Sequence, residues 1–201
     1  MSKGYWVKFN SSQLIYINGY NPDSLIINVD AGWNLIGTIS SPLPVNDVIF
    51  EPAENLISSF FGYESGYYRT DTLFPGKGYW IKVKENGKLI LKQNQCLARS
   101  NIGNRVDVKS NRQNVLTVQD AEGKTQILFL KVTDTDYFPP TTEMPPFPPE
   151  GVLDVRFVSG SSLGTQTAFY NCNNNYIEDI MINISSSSYP LTLCWQQTEE
   201  I

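Results

Sequence analysis

The feature that most constrains the fold is a seven-residue segment that occurs twice. Lys3–Phe9 (KGYWVKF) returns as Lys77–Val83 (KGYWIKV). A Leu-Ile pair follows each copy at nearly the same distance, as Leu14-Ile15 and again as Leu89-Ile90. A segment that recurs together with its spacing is the signature of a repeat architecture, so we predict a chain built from repeated modules.

The two copies differ in what precedes them. Gly32–Gly37 (GWNLIG) opens the second copy, and no similar segment stands before Lys3. We therefore predict a partial first copy over residues 3–30 and a complete copy over residues 31–92. The chain is expected to start in the middle of a repeat, as a piece of a longer protein would. Residues 3–17 are expected to form strands that complete the fold of the next module.

Composition and short alternating segments predict an all-β fold. Only 17% of the residues are charged, while 12% are aromatic and the chain contains 14 Gly and 12 Pro, a profile that favours strands and turns over helices. Apolar alternation occurs in short segments bounded by turn-forming residues, which is typical of strands. In the first half these segments are Tyr5–Phe9, Gln13–Ile17, Leu25–Val29, Asn34–Ile39, Tyr79–Val83 and Lys88–Leu91.

Turn-forming residues divide the strands. Asn86-Gly87 predicts a hairpin that joins residues 81–83 to 89–91. Gly66 predicts a second hairpin within residues 61–68, and Asp120–Lys124 predicts a third between residues 115–118 and 126–130. Helix-like spacing predicts a short helix or irregular turn around residues 45–50, followed by a strand at about residues 55–63.

A proline-rich segment marks the second half of the chain. Six prolines fall within residues 139–149, and such a run cannot join a central strand or a helix. We predict an extended connector there, followed by strands at 152–158, 180–184 and 191–195. The whole chain is thus predicted to be two β-sandwich-like (Ig-like) modules, over residues 1–95 and 96–201.

These segments resemble known modules along nearly the whole chain. GWNLIG at 32–37, FGYESGYY at 61–68 and DTLFPGKGYWIKV at 71–83 resemble repeat modules near the C-termini of large secreted proteins of Bacteroidota and related bacteria. DAEGKTQILF at 120–129, MPPFPPEGVLDVRF at 144–157 and YPLTLCW at 189–195 resemble the β-module that follows them there. The resemblance implies non-catalytic β-modules in cargo of the type IX secretion system, at an extracellular or cell-surface location. The secretion signal itself is not visible in this sequence.

Charge and residue types argue against several function classes. The sequence contains no histidine, which removes the commonest general base and the Ser-His-Asp and Cys-His arrangements. No two carboxylates stand in a recognisable glycosidase frame, so we predict that the chain is not an enzyme. A net charge of -5 argues against nucleic acid as a partner. No apolar run reaches the ~18–20 residues of a membrane span.

We predict a non-catalytic extracellular spacer or presentation scaffold whose partner is the rest of its parent protein. The alternative is a carbohydrate-binding or adhesion module that takes a polysaccharide or cell-surface glycan on exposed aromatics. A fragment of a carbohydrate-active enzyme is the third reading. The predicted ligand-binding residues are Tyr63, Tyr67 and Tyr68, and the predicted core residues are Trp6, Trp33, Trp80 and Trp195. A binding module should expose coplanar rings, whereas a spacer should bury them.

Two smaller features concern metal and sulfur chemistry. Asn173, Asn175, Glu178 and Asp179 offer oxygen ligands of the kind that calcium takes, and an Asn-rich turn explains the same residues. No other cofactor is expected. Cys172 and Cys194 either pair in a disulfide across neighbouring strands or remain free buried thiols, and Cys96 has no assigned role.

Overall fold

The structure is a computed structural model, and it describes residues 3–7, 9, 14–16, 18, 22–92, 113–133, 143–158, 162–171, 180–186 and 188–196. These residues form an all-β protein, which confirms the predicted fold class. The strands are β1 (Ser24–Val29), β2 (Gly32–Ile36), β3 (Leu43–Pro44), β4 (Ile49–Glu51), β5 (Phe60–Tyr63), β6 (Tyr67–Thr70), β7 (Thr72–Leu73), β8 (Tyr79–Val83), β9 (Gly87–Lys92), β10 (Gln113–Gln119), β11 (Thr125–Thr133), β12 (Asp154–Phe157), β13 (Thr167–Asn171), β14 (Ile182–Ser185) and β15 (Thr192–Gln196).

The chain divides into two compact units. The first unit comprises Met1–Tyr63 and Arg69–Ala98, and the second comprises Glu64–Tyr68 and Arg99–Ile201. The predicted module boundary at residues 95 and 96 lies outside the described residues. The described part of the chain includes no helix with the length and apolarity that crossing a membrane requires.

The core of the first unit lies between two sheets. One sheet has the strand order β1-β9-β4 and the other the order β2-β8-β5-β6, with β3 and β7 as an additional pair. Because side chains alternate between the two faces of a strand, every second side chain of β8 and β9 points into the core. The buried residues include Ile27, Val29, Ile36, Leu43, Phe60, Leu73, Tyr79, Ile81, Val83, Leu89 and Leu91. This arrangement is the layering expected of a β-sandwich.

The turn predicted at Asn86 is present, but the predicted hairpin pairing is wrong. β8 pairs with β2 and β5, whereas β9 pairs with β1 and β4, so the chain passes from one sheet to the other at this turn. Buried Asn55 fixes the turn: its Nδ2 donates to the Glu85 carbonyl, and its Oδ1 accepts from the Glu85 amide. Gly87 is required because a Cβ there would meet the Glu51 carbonyl oxygen.

The segment from residue 45 to residue 63, predicted as a short helix or irregular turn followed by a strand, contains a short helical turn and two strands. A 3-10 turn covers Val45–Asp47, β4 follows directly, and β5 begins only at Phe60. The hairpin predicted around Gly66 is present, since β5 and β6 are neighbours in their sheet. The short helical turn and the late strand together match the order that the apolar spacing predicts.

The first copy of the repeated segment attaches to the second copy through β2. Lys3 forms an antiparallel bridge with Ile36, and the Gly4 amide donates to the Leu35 carbonyl at 2.8 Å. Ile36 also pairs with Tyr79 of β8. β2 therefore lies between the two copies of the motif. The prediction of strands over residues 3–17 is wrong for the described residues of that range, which pair with β2 at Lys3 and Gly4 and form no strand of their own.

The second unit is built from two further sheets. One has the strand order β13-β11-β10-β15, in which β11 and β13 run parallel, and the other pairs β12 with β14. Their buried side chains are Leu116, Val118, Leu128, Leu153, Val155 and Phe157. The hairpin predicted around Asp120–Lys124 is present as β10 and β11, and the three predicted later strands correspond to β12, β14 and β15.

Candidate functional site

The most aromatic surface of the first unit lies on the side of the β2-β8-β5-β6 sheet that faces away from the core. In β8, Tyr79, Ile81 and Val83 are buried in the core, so alternation places Trp80 and Lys82 on the opposite face. Trp33 of β2 pairs in register with Lys82, and Phe61 of β5 pairs with Trp80. We call Trp6, Trp33, Phe61, Tyr63 and Trp80 the aromatic cluster.

The rings of the aromatic cluster pack edge to face. Trp33 lies 6.0 Å from Phe61 with an interplanar angle of 64°, and 6.5 Å from Trp80 with an angle of 88°. Trp6 lies 5.0 Å from Tyr63 at 72°. Edge-to-face pairs satisfy the quadrupoles of the rings and stabilise the cluster from within. The rings therefore do not form one flat platform.

Two cations cover this cluster. The Arg69 guanidinium lies 5.9 Å from the Phe61 ring centroid, and the Lys82 Nζ lies 6.0 Å from the Trp33 centroid. Arg69 is exposed at the surface, but the strands and ring beneath it desolvate the guanidinium, which lowers its pKa. An arginine remains charged despite such a shift. Both cations thus close over ring faces that a ligand would otherwise approach.

The predicted ligand-binding tyrosines occupy three different environments. Tyr63 is half-buried and contacts Trp6, and Tyr68 is half-buried. Tyr67 is only 2% exposed, and its hydroxyl donates to the Pro146 carbonyl at 2.7 Å. The structure therefore corrects the prediction for Tyr67, which anchors the proline-rich segment and presents no ring to a ligand.

The predicted core tryptophans also require correction. None of the four belongs to the two buried cores. Trp33 and Trp80 are half-buried because alternation gives the core position to their neighbours, and the Trp80 indole N–H is buried without an acceptor in the described part of the chain. Trp6 is 39% exposed, since Lys3 and Gly4 alone among the described residues of its segment pair with β2. Trp195 is 50% exposed on β15, where every residue is exposed.

The second unit contains a buried arginine that the sequence reading did not single out. Arg156 is 1% exposed, and its Nε and Nη2 donate to the two carboxylate oxygens of Asp154 at 2.7 and 2.6 Å. Its Nη1 donates to the carbonyls of Pro145 and Leu163. The Phe147 ring lies 4.0 Å from the guanidinium carbon. A buried Asp-x-Arg pair thereby holds the proline-rich segment by both a hydrogen bond and a ring contact.

The turn between β10 and β11 has its own polar network. Asp120 is buried, and its Oδ1 accepts from the amides of Glu122 and Lys124, both at 3.0 Å. The Lys124 ammonium lies 2.7 Å from the Glu122 carboxylate, and the Ser188 hydroxyl donates to Glu122 at 2.6 Å. Hydrogen bonding from Lys124, with a smaller contribution from Ser188, lowers the pKa of Glu122. These acids stabilise a turn.

The remaining predicted sites fall largely outside the described residues. Asn173, Asn175, Glu178 and Asp179 lie there, and so do Cys96 and Cys172. The described residues contain no group of three or more His, Cys, Asp or Glu side chains placed to hold a metal ion. Cys194 is an exposed free thiol in the structure, and its pairing with Cys172 stays a prediction. No known family model, curated protein or solved structure matches the chain.

Proposed function

We propose that the chain is a non-catalytic structural module, a spacer or presentation scaffold, of a larger secreted or cell-surface bacterial protein. The observation that carries this proposal is the attachment of one motif copy to the next through β2, by the Gly4 to Leu35 hydrogen bond and the bridge of Lys3 to Ile36. Backbone pairing across successive copies gives a repeat protein mechanical continuity. The secreted, cell-surface setting follows from the resemblance of the sequence segments.

The glycines of both motif copies support this joint. A Cβ at Gly4 would lie 2.7 Å from Leu35 Cγ, and a Cβ at Gly78 would lie 3.4 Å from Leu35 Cδ1. The same leucine side chain therefore packs against the glycine of each copy. At Gly4 the approach is too close for any other residue without a shift, so the glycine of the first copy has a packing role.

Buried acids in the described residues stabilise the fold in ways that support a non-catalytic role. Asp154 is neutralised by Arg156, and Asp120 accepts backbone amides in its turn. A catalytic carboxylate acts from a cleft that a substrate can reach. Both of these acids are instead enclosed by the protein groups that they bind.

The aromatic cluster also supports the scaffold over the carbohydrate-binding alternative. Sugar platforms stack coplanar rings against pyranose faces, while the three ring pairs here meet at 64°, 72° and 88°. Carbohydrate binding remains a second candidate because Trp6 keeps 39% of its surface exposed beside half-buried Tyr63.

Affinity electrophoresis and pull-down on a panel of soluble and insoluble polysaccharides separate these two proposals. The scaffold proposal expects no saturable retention. Trp6→Ala is compared with Tyr189→Ala, a matched change at a residue that is 64% exposed in the second unit. Saturable retention that Trp6→Ala abolishes and Tyr189→Ala preserves would establish the carbohydrate-binding alternative and refute the scaffold.

The joint itself is tested with paired glycine variants. Gly4→Ala forces Leu35 or the first copy to move, and we expect it to release residues 3–6 from β2, with a loss of about 1 kcal/mol for the hydrogen bond. Gly78→Ala places its Cβ at ordinary contact distance from the same leucine and serves as the control. Amide exchange at residue 4 and at Trp6 measures the release. Unchanged exchange in Gly4→Ala would contradict the proposed joint.

A further inference from the structure

The first motif copy exposes the apolar side chains whose counterparts form the core of the second copy. The exposed fractions are 72% for Tyr5 against 0% for Tyr79, 65% for Val7 against 0% for Ile81, and 46% for Phe9 against 1% for Val83. Because the two segments have nearly the same sequence, the difference comes from their surroundings. Among the residues that the structure describes, none covers the first copy as the core covers the second.

The same difference continues into the Leu-Ile pair that follows each copy. Leu14 is 77% exposed and Tyr16 is 83% exposed, whereas their counterparts Leu89 and Leu91 are both 0% exposed. Several large apolar side chains exposed in two nearby segments of the sequence, rather than singly, mark an interaction site. Tyr5, Val7, Phe9, Leu14 and Tyr16 are therefore taken together as the uncovered face.

The second copy shows what covers such a face. β8 pairs with β2 on one side and with β5 on the other, and β9 lies between β1 and β4. All four covering strands belong to the segment from Ser24 to Tyr63, the front half of the complete repeat. The core residues Ile27, Ile36 and Phe60 of that segment fill the space against β8 and β9.

We propose that the uncovered face is a docking surface for a β-segment of the same kind as Ser24–Tyr63, that is, for the front half of another repeat. The proposal rests on the structural-repeat function proposed above and names the partner of its first copy. Lys3 and Gly4 hold the segment to β2 of the next repeat, while the uncovered face presents its side chains to solvent. The first motif copy thus contacts β2 of the following repeat and, in this proposal, the front half of another repeat.

The chemistry of the face favours this occupant over a glycan or a lipid surface. In the first copy Val7 and Phe9 stand where the second copy has Ile81 and Val83, so both positions carry an apolar residue in each copy. Two separate segments of matching apolar spacing are recognised best by a partner that carries the complementary pair of strands. Interior packing of this type is specific to residue order and volume.

The test adds a second front half of the repeat to the full chain. A second copy of residues 22–76 is fused directly before Lys3, so that it joins the first motif copy as Gly76 joins Lys77. Hydrogen exchange of residues 5–9 and 14–16 should slow by about two orders of magnitude or more, because core strands exchange only through rare openings. The control fusion carries Ile36→Asp and Phe60→Asp in the added copy alone, which removes its core face.

Each outcome decides the proposal. Slow exchange in the intact fusion and fast exchange in the control would support it. Unchanged exchange in the intact fusion, or equal protection in both, would overturn it. A fusion in which β8 itself loses protection also counts against the proposal, because a fitting front half leaves the native repeat intact.

Sedimentation equilibrium of the unmodified chain addresses the competing occupant. We expect a monomer, and a dimer that Val7→Asp dissociates would assign the uncovered face to a second copy of this chain and overturn the proposal. Polysaccharide retention is a separate readout: it refutes the scaffold proposal whatever the exchange data show. Failed protection without retention refutes only the docking proposal.

Discussion

Replacing Arg156 by methionine should destabilise the second unit more than any change at its surface. The substitution keeps the apolar stem but leaves the Asp154 carboxylate without its two charge-assisted hydrogen bonds, in a site where the two side chains are 1% and 3% exposed. Removing one partner of a buried pair costs about 3–5 kcal/mol. The carbonyls of Pro145 and Leu163 also lose a donor.

Each of the two lost carbonyl contacts adds about 1 kcal/mol, so the total loss is about 5–7 kcal/mol. That equals the whole stability of a marginal domain, ~5–15 kcal/mol. Hydrogen exchange followed by mass spectrometry measures the loss in β10 and β12 separately from the first unit. Arg69→Met is the matched control, since its exposed guanidinium only covers the Phe61 ring and its loss should cost at most ~1 kcal/mol.

The double variant Asp154→Leu/Arg156→Met isolates the cause. It removes both charges together, and we expect it to recover about 3 kcal/mol of the loss in Arg156→Met. The reasoning would be refuted by a loss below ~1 kcal/mol in the single variant. It would also be refuted if the double variant were as unstable as the single one, because the stranded carboxylate would then not be the cause.

Two other polar groups of the second unit give further predictions. Gln126 is buried, and its side-chain amide donates to the Val155 carbonyl and accepts from the Val155 amide. The variant Gln126→Leu should therefore lower the free energy of unfolding in urea by about 3 kcal/mol. A loss below ~1 kcal/mol would contradict this role. The lowered pKa of Glu122 means that its ion pair with Lys124 contributes fully above the unfolded pKa and is lost as pH falls through the lowered folded value. An NMR titration should therefore show the Glu122 pKa rise towards the ordinary value of a glutamate in Lys124→Gln, and an unchanged midpoint would rule out the pairing.

Local turn chemistry was predictable where strands that are adjacent in sequence also pair. The β10–β11 hairpin follows from Asp120, whose carboxylate caps the turn, and from Gly123 with a φ of +80°. Asn86-Gly87 carries the same local pattern, yet β9 pairs with β1 and β4. A turn motif fixes where the chain reverses, while the partner of the next strand depends on long-range burial that a local pattern does not contain.

The misplaced tryptophans show a signal that was available in the sequence. Lys82 stands two residues after Trp80, so both must share a face of β8, and a lysine on that face argues against the core. The alternative face then carries Tyr79 and Ile81, which are both fully buried. Period-2 alternation along β8 therefore assigns Trp80 to the face opposite the core.

The Arg156 pair was harder to predict. Asp154 and Arg156 share a face of a four-residue strand, and charged residues on one face normally indicate solvent. All four residues of β12 are in fact buried, because the proline-rich segment contributes the Pro145 carbonyl and the Phe147 ring to that face. Only the long-range position of this segment makes an inward arginine stable.

The most direct test of the account is the amide exchange rate of Gly4 in the unmodified chain, measured by NMR against its intrinsic rate. The account holds that the first motif copy is tied to the second by the Gly4 to Leu35 hydrogen bond at 2.8 Å. Exchange is expected to be at least about fivefold slower than intrinsic, as for a hydrogen bond worth ~1 kcal/mol or more within a sheet edge. Exchange of the Gly4 amide at its intrinsic rate would contradict the joint between the copies.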